Sequence, residues 1–131
     1  MESEDDKTQS HGIKDDSLAL EWDLLPSPAL EEVIRVLMCG AVKYERDNWR
    51  LVKNARRRYF NATMRHCWAY LRGEQNDRET GLHHLAHAAC YVLFILCMDT
   101  EHFPTTEETF KKALQTAREI KARRNQGKTD V

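Results

Sequence analysis

Apolar residues recur at the 3.6-residue period of a helix in four stretches of the chain, and no useful length shows the alternation of a half-buried strand. In the first stretch Leu30, Val33, Ile34, Leu37, Ala41 and Tyr44 share one face. Ser27 is placed to cap it, Pro28 fits the first turn, and Asp47-Asn48 is the expected end. The second stretch runs from about Asn54 to Leu71, with Phe60, Met64, Cys67, Trp68 and Leu71 as the stripe expected to face the core and Gly73 as the stop. The third, Leu82 to Met98, is apolar nearly all round and should be the buried centre. A capping box of Thr105 and Glu108 opens the fourth, whose stripe is Phe110, Ala113, Leu114, Ala117 and Ile120.

Before these stretches, residues 1–19 carry almost no large apolar side chains, so they bury too little surface to offset the entropy of ordering. They are expected to form a disordered acidic tail. Leu20, Trp22, Leu24 and Leu25 supply the first apolar cluster. The expected organisation is therefore one all-α, four-helix domain over residues 20–124, with a second disordered tail at 125–131. At 131 residues, one domain is what the length allows. The longest apolar run, Leu85 to Met98, includes His87 and is too short to cross a bilayer as a helix. No apolar leader follows the acidic start, so neither a membrane span nor a signal peptide is expected. Cys39, Cys67, Cys90 and Cys97 form no CxxC pair and each sits in an apolar helical pattern, which reads as reduced core thiols of a cytoplasmic protein.

Charge changes the picture. The total is nearly balanced, 20 Lys+Arg against 21 Asp+Glu, but residues 1–23 hold eight acids and two bases while residues 35–78 hold eleven bases and four acids. Such a basic middle segment points to an anionic ligand, either nucleic acid or a phosphorylated small molecule; a solvated helix face is the bland alternative. The run Arg56-Arg57-Arg58 falls in the first turns of the second helix, where the helix dipole disfavours cations.

Three groups of residues could carry chemistry. His66, His83, His84 and His87 fall within 22 residues of one another, together with Glu74, Asp77 and Glu79. His66 lies in line with Ala62 and Ala69 on a small-residue face of the second helix, and an antiparallel third helix would bring His84 and His87 back towards it. Imidazoles and carboxylates converging between helices make either a divalent metal site or a general-base pocket, while a structural hydrogen-bond network remains the competing reading. The loop from Gly73 to Gly81 offers three carboxylates, a density of hard oxygens that suits Mg²⁺, or else an ordinary turn with Asp77 or Thr80 capping the next helix. Finally, Lys43, Tyr44, Asn48, Trp49 and Arg50 could neutralise phosphates and stack on a base, or simply pack two helices together.

The order of these motifs carries a resemblance. Trp22-Asp23-Leu24-Leu25-Pro26, Ala29-Leu30, Gly40-Ala41, Lys43-Tyr44, Asn48-Trp49-Arg50, Arg65-His66, Gly73-Glu74, Asp77, Glu79, Gly81 and His84-Leu85-Ala86-His87-Ala88 together resemble the N-terminal domain of the phage-type dATP/dGTP diphosphohydrolases. That family is grouped near the MazG-like all-α nucleotide pyrophosphohydrolases, and the match spans about residues 20–98. The resemblance implies a MazG-like bundle and Mg²⁺-dependent hydrolysis of a purine deoxynucleoside triphosphate to monophosphate and pyrophosphate, in a host cytoplasm. It also implies a homo-oligomer. On this reading Glu74, Asp77 and Glu79 hold the metal, and His66, His84 and His87 activate water or add ligands. Lys43, Arg50 and Arg65 hold phosphates, with Asn48 beside them and Tyr44 or Trp49 facing the base. A small helical nucleic-acid-binding or regulatory protein is the rival in another class; a histidine–aspartate metal phosphohydrolase ranks last because no His-Asp dipeptide is present.

Overall fold

The computed structural model describes residues 12–129. Among them the chain is all-α, with helices α1 (Ser27–Lys43), α2 (Ala55–Leu71), α3 (His84–His102) and α4 (Glu107–Thr129), and two short 3-10 helices, Trp22–Leu24 and Asn48–Leu51. The expected tail over residues 1–19 lies outside the described residues up to residue 11; residues 12–19 are exposed apart from half-buried Leu18. At the other end α4 continues to Thr129, through residues the sequence pattern assigned to a tail. No helix among the described residues is long and apolar enough to cross a membrane.

Helix boundaries follow local chemistry, with some changes of role. Ser27 is the first residue of α1 and makes no capping bond, with Pro28 in the first turn as expected. The helix stops at Lys43, short of Asp47-Asn48, and Asp47 and Asn54 each take the left-handed conformation that reverses the chain on either side of the second 3-10 helix. The cap of α3 is neither Asp77 nor Thr80: the His83 ring accepts the Leu85 N–H through Nδ1 at 3.0 Å. Thr106, one residue beyond the expected Thr105, accepts from Thr109 N and starts α4.

As its composition predicts, α3 is the centre. It packs most extensively on α2 and less on α1. Val36 of α1 meets Ala86 and Cys90 of α3, with Val33 and Leu82 at the edge. Cys90 is the one cysteine in this core; Cys39 is exposed, against expectation, and all four are free thiols. Towards the far end of α3, Tyr59, Tyr91, Phe94 and Trp49 form an aromatic group, and the Tyr59 hydroxyl donates to Trp49 O at 2.7 Å, tying the 3-10 turn to α2.

The structure reverses the expected orientation of α2. Its buried face is Tyr59, Ala62, Thr63 and Ala69, with His66 half-buried among them, while Phe60, Met64, Trp68 and Leu71 point outward, Trp68 50% and Leu71 70% exposed. Small residues let the backbones of α2 and α3 approach closely, and α3 answers with Ala86, Ala88 and Cys90. Helix α4 has no substantial packing partner among the described residues, and only Phe110 and Leu114 of its stripe are half-buried.

Candidate metal centre and its surroundings

The loop between α2 and α3 is a closed structure. Gly73 and Gly81 both have positive φ, 101° and 74°, values that residues bearing a Cβ rarely adopt. Asn76 pairs with His83, Asp77 N donates to Leu82 O at 2.8 Å, and His84 N donates to Gln75 O at 2.9 Å. Asp77 Oδ2 accepts from Glu79 N, Thr80 N and the Thr80 hydroxyl. The loop is thereby folded back so that Asp77 faces the histidines of α2 and α3.

On those helices His66, His84 and His87 come together, as the small-residue face predicted. Nδ1 of His66 and Nδ1 of His84 face each other at 2.8 Å, and the His66 ring stacks on His87 with centroids 4.7 Å apart and on Tyr91 at 5.9 Å. His84 is 5% exposed; its Nε2 is buried without a hydrogen bond, although Glu74 Oε1 lies 3.4 Å away. One ligating atom from each of His66, Asp77 and His84 lies within 4.8 Å of the other two. Two imidazoles and a carboxylate form a donor set that fits a divalent ion.

A second arrangement shares Asp77. Thr80 Oγ1 lies 2.7 Å from His87 Nε2, 3.2 Å from Asp77 Oδ2, and accepts Leu82 N–H at 3.1 Å. A hydroxyl has one proton and two lone pairs. All three contacts are satisfied together when Oγ1 accepts from Leu82 N and His87 Nε2–H and gives its own proton to Asp77, which leaves the His87 lone pair on Nδ1.

Burial favours the neutral form of His66 and of His87. Burial, then the neighbouring His87, lowers His66 to about 4, with Asp77 opposing. Burial likewise lowers His87, against the pull of Asp77. Burial pushes the Asp77 carboxyl up, but the Thr80 hydrogen bonds and the nearby histidines outweigh it and hold it below its usual value.

The remaining expected site residues divide. Lys43, at the end of α1, reaches Glu79 Oε1 at 2.7 Å and so joins the edge of the site; this hydrogen bond raises its ammonium above the ordinary lysine value. Tyr44 follows it, exposed, with the Lys43 ammonium 5.3 Å from its ring centre. Glu79 is thus turned to Lys43 rather than to the histidines, and Glu74 sits between His84 and Arg78. Asn48, Trp49 and Arg50 are not brought to the cluster. Trp49 is stacked between Phe94 and the Arg50 guanidinium, and Arg50 pairs with Glu101, all at the far half of α3. Arg65 points to the outer face of α2, lining a surface hollow with Asn61, Met64, Trp68 and Arg72. In the arginine run, Arg56 pairs with Asp99 and Arg58 donates to Lys53 O. Thr80, read from the sequence only as a possible cap, and Tyr91 are the contributors that residue types alone did not single out; the seven-residue step from Thr80 to His87 crosses a loop whose fold had to be seen.

A compact three-helix packing that holds a histidine–carboxylate cluster between α2, α3 and their connecting loop defines an all-α protein with a candidate divalent-metal centre. Comparison with known proteins makes the assignment specific: the chain belongs to the family described as dATP/dGTP diphosphohydrolase, N-terminal, whose family model matches residues 9–108. It is 38% identical over 97 residues to a dATP/dGTP diphosphohydrolase of Salmonella phage PMBT28, an alignment covering 74% of this chain and 32% of that protein. The chain thus spans about a third of the length of that curated relative. No solved structure matches it.

Proposed function

We propose that this chain carries the hydrolytic site of a nucleotide pyrophosphohydrolase, cleaving dATP or dGTP to the monophosphate and pyrophosphate with a divalent ion, Mg²⁺ being the ion the resemblance implies. The observation that carries the proposal is the convergence of His66, Asp77 and His84 beside the Asp77–Thr80–His87 chain, in a member of a family whose relative bears that activity in its name. A divalent ion held there supplies positive charge against the phosphate oxygens. His87, neutral at physiological pH and carrying its lone pair on Nδ1, takes a proton from water as the water oxygen bonds phosphorus and the bridging P–O bond breaks to release pyrophosphate. Asp77 and Thr80 fix the tautomer that makes this transfer possible. Lys43 lies at the edge of the site as a phosphate partner, released from Glu79 when a more highly charged anion arrives.

The working form is proposed to be a homo-oligomer. Support comes from the surface: Phe60, Met64, Trp68 and Leu71 stand exposed together on the outer face of α2. A panel of nucleoside triphosphates, with pyrophosphate resolved from phosphate by chromatography, tests the activity. Release of pyrophosphate from dATP or dGTP is expected; none from any nucleotide would refute the proposal.

A further inference from the structure

The expected metal ligands were the loop carboxylates, with the histidines either adding ligands or activating water. The cluster that actually forms takes two of its three donors from imidazole rings, and the difference bears on which ion it holds. Mg²⁺ prefers oxygen and sheds water reluctantly, whereas imidazole favours the first-row transition ions.

We propose that His66, His84 and Asp77 form a single site for a first-row transition ion, Mn²⁺ through Zn²⁺, in preference to Mg²⁺, with Glu74 outside the ligand set as the partner of His84. The inference rests on the hydrolytic reading only for the ion's use, not for its binding.

The ring geometry supports it. Nδ1 of His66 and Nδ1 of His84 are 2.8 Å apart. With metal–nitrogen bonds of about 2.1 Å, nitrogens meeting at a right angle sit about 3.0 Å apart and at a tetrahedral angle about 3.4 Å, so the spacing matches an edge of a six-coordinate shell. Such a shell leaves positions for water or substrate oxygens. When both Nδ1 lone pairs turn to the ion, each ring carries its proton on Nε2. For His84 that is the buried nitrogen without a hydrogen bond, 3.4 Å from Glu74 Oε1. A ligating imidazole that donates its other N–H to a carboxylate is the usual outer arrangement of a metal site. On Asp77 the three loop hydrogen bonds occupy Oδ2, which leaves Oδ1 for the ion and fixes the direction in which it points.

The test uses the full chain stripped of metal, titrated with CoCl₂ and followed by the visible absorption of bound Co²⁺. One equivalent per chain is expected, displaced by ZnCl₂ and by an excess of MnCl₂ but not by a roughly thousandfold excess of MgCl₂. His66→Gln and His84→Gln should each weaken Co²⁺ by at least about 100-fold, while Glu74→Gln, acting only through His84, should cost about 10- to 100-fold. Should a histidine variant lose its fold, the parent gives an independent reading: substoichiometric Mn²⁺ should broaden the ring proton resonances of His66 and His84 before those of His83 and His102. Displacement of Co²⁺ by equimolar Mg²⁺, folded histidine variants that bind Co²⁺ like the parent, or uniform broadening of all the rings would each overturn the site. Pyrophosphate release supported by Mg²⁺ in a chain that binds no Co²⁺ would overturn this inference alone; tight Co²⁺ binding without hydrolysis of any nucleotide would overturn the proposed function and leave the site standing.

Discussion

Replacing Thr80 with valine keeps the shape of the side chain and removes the one oxygen on which the loop, His87 and Asp77 meet. Three contacts are lost: Leu82 N–H to Oγ1 at 3.1 Å, His87 Nε2 at 2.7 Å and Asp77 Oδ2 at 3.2 Å. The Asp77 contact matters least to stability, since Oδ2 keeps two backbone donors in a partly exposed loop. Leu82 N is near solvent, so its loss costs an ordinary hydrogen bond, about 1 kcal/mol. His87 is different. Its side chain is only 10% exposed, so its Nε2–H is stranded where water reaches it poorly, at about 1–3 kcal/mol. The total is about 2–4 kcal/mol, and at roughly 4 °C per kcal/mol for a domain of this size Tm should fall by about 8–16 °C. Thr80→Ser restores the oxygen and should recover most of the loss. If the chain acts as proposed, Thr80→Val also lowers kcat, because the His87 tautomer is no longer fixed, and the pH dependence of the remaining activity moves with it. Differential scanning calorimetry of parent, serine and valine forms decides the structural half. A valine form melting within about 2 °C of the parent would refute the hydrogen-bond assignment on which the His87 proton position rests.

Stability of the metal-stripped chain should fall as pH drops from 6.5 towards 4: His66 titrates at about 4 when folded against 6.5 in its ordinary state, so the unfolded chain binds the extra proton across that window, and His87 adds in the same direction; below that window Asp77, held under its usual value, continues the fall. Urea midpoints across that range check it, and a midpoint that rises on acidification contradicts it. Asp77→Asn should abolish pyrophosphate release while leaving the Tm of the metal-stripped chain within a few degrees, because the amide oxygen still accepts the Glu79 and Thr80 N–H groups; equal turnover in parent and variant would remove Asp77 from the site. Deleting residues 1–19 should leave Tm almost unchanged, and a large fall would mean the acidic segment docks on the basic one. Light scattering should give at least twice the 15.4 kDa chain mass, a value lowered by Trp68→Glu; a parent that remains at 15.4 kDa at micromolar concentration would refute self-association.

What could be read in advance divides along physical lines. Helix number and rough extent were legible because apolar period is a local property, and the approach of His66 to His84 and His87 was legible because Ala62 and Ala69 marked a face that admits a close neighbour. The stripe that α2 buries was not. Phe60, Met64 and Trp68 outweigh alanine and threonine in any count of hydrophobicity, yet a helix meets its neighbour through the face that fits, and hydrophobicity alone does not say whether a large apolar stripe meets its own domain or another surface. Trp49 and Arg50 lie apart from the histidine cluster, and their packing was not legible for a related reason. An aromatic beside an arginine is equally suited to a nucleobase and to Phe94, and here the guanidinium covers the ring face that Phe94 leaves. The Asp77–Thr80–His87 chain depends on a loop closed by two glycines at positive φ, which residue types indicate but do not fold.

The inverted α2 and the histidine cluster have one cause. Three imidazoles between helices need a space that large side chains would fill, and they need partners, because each ring nitrogen left unpaired in the interior costs stability. Placing Ala62, Thr63 and Ala69 inward opens that space and brings the α2 backbone close enough for His66 to meet both α3 rings. The large residues displaced from this interface must then go to the opposite face of the same helix. What remains buried is small, with Val36, Ala86 and Cys90 as the apolar nucleus, and it lends the domain little stability of its own. Two compensations are open to such a chain: an ion that binds the folded state alone, and a surface that covers Phe60, Trp68 and Leu71. Binding linked to folding raises stability in proportion to the logarithm of free ligand over Kd. The metal centre and the exposed face of α2 should therefore act together, so that stripping the metal lowers Tm and dilution lowers it further. A Tm indifferent to both would mean the small core is sufficient by itself, and the link drawn here between the site and the outer face would fail.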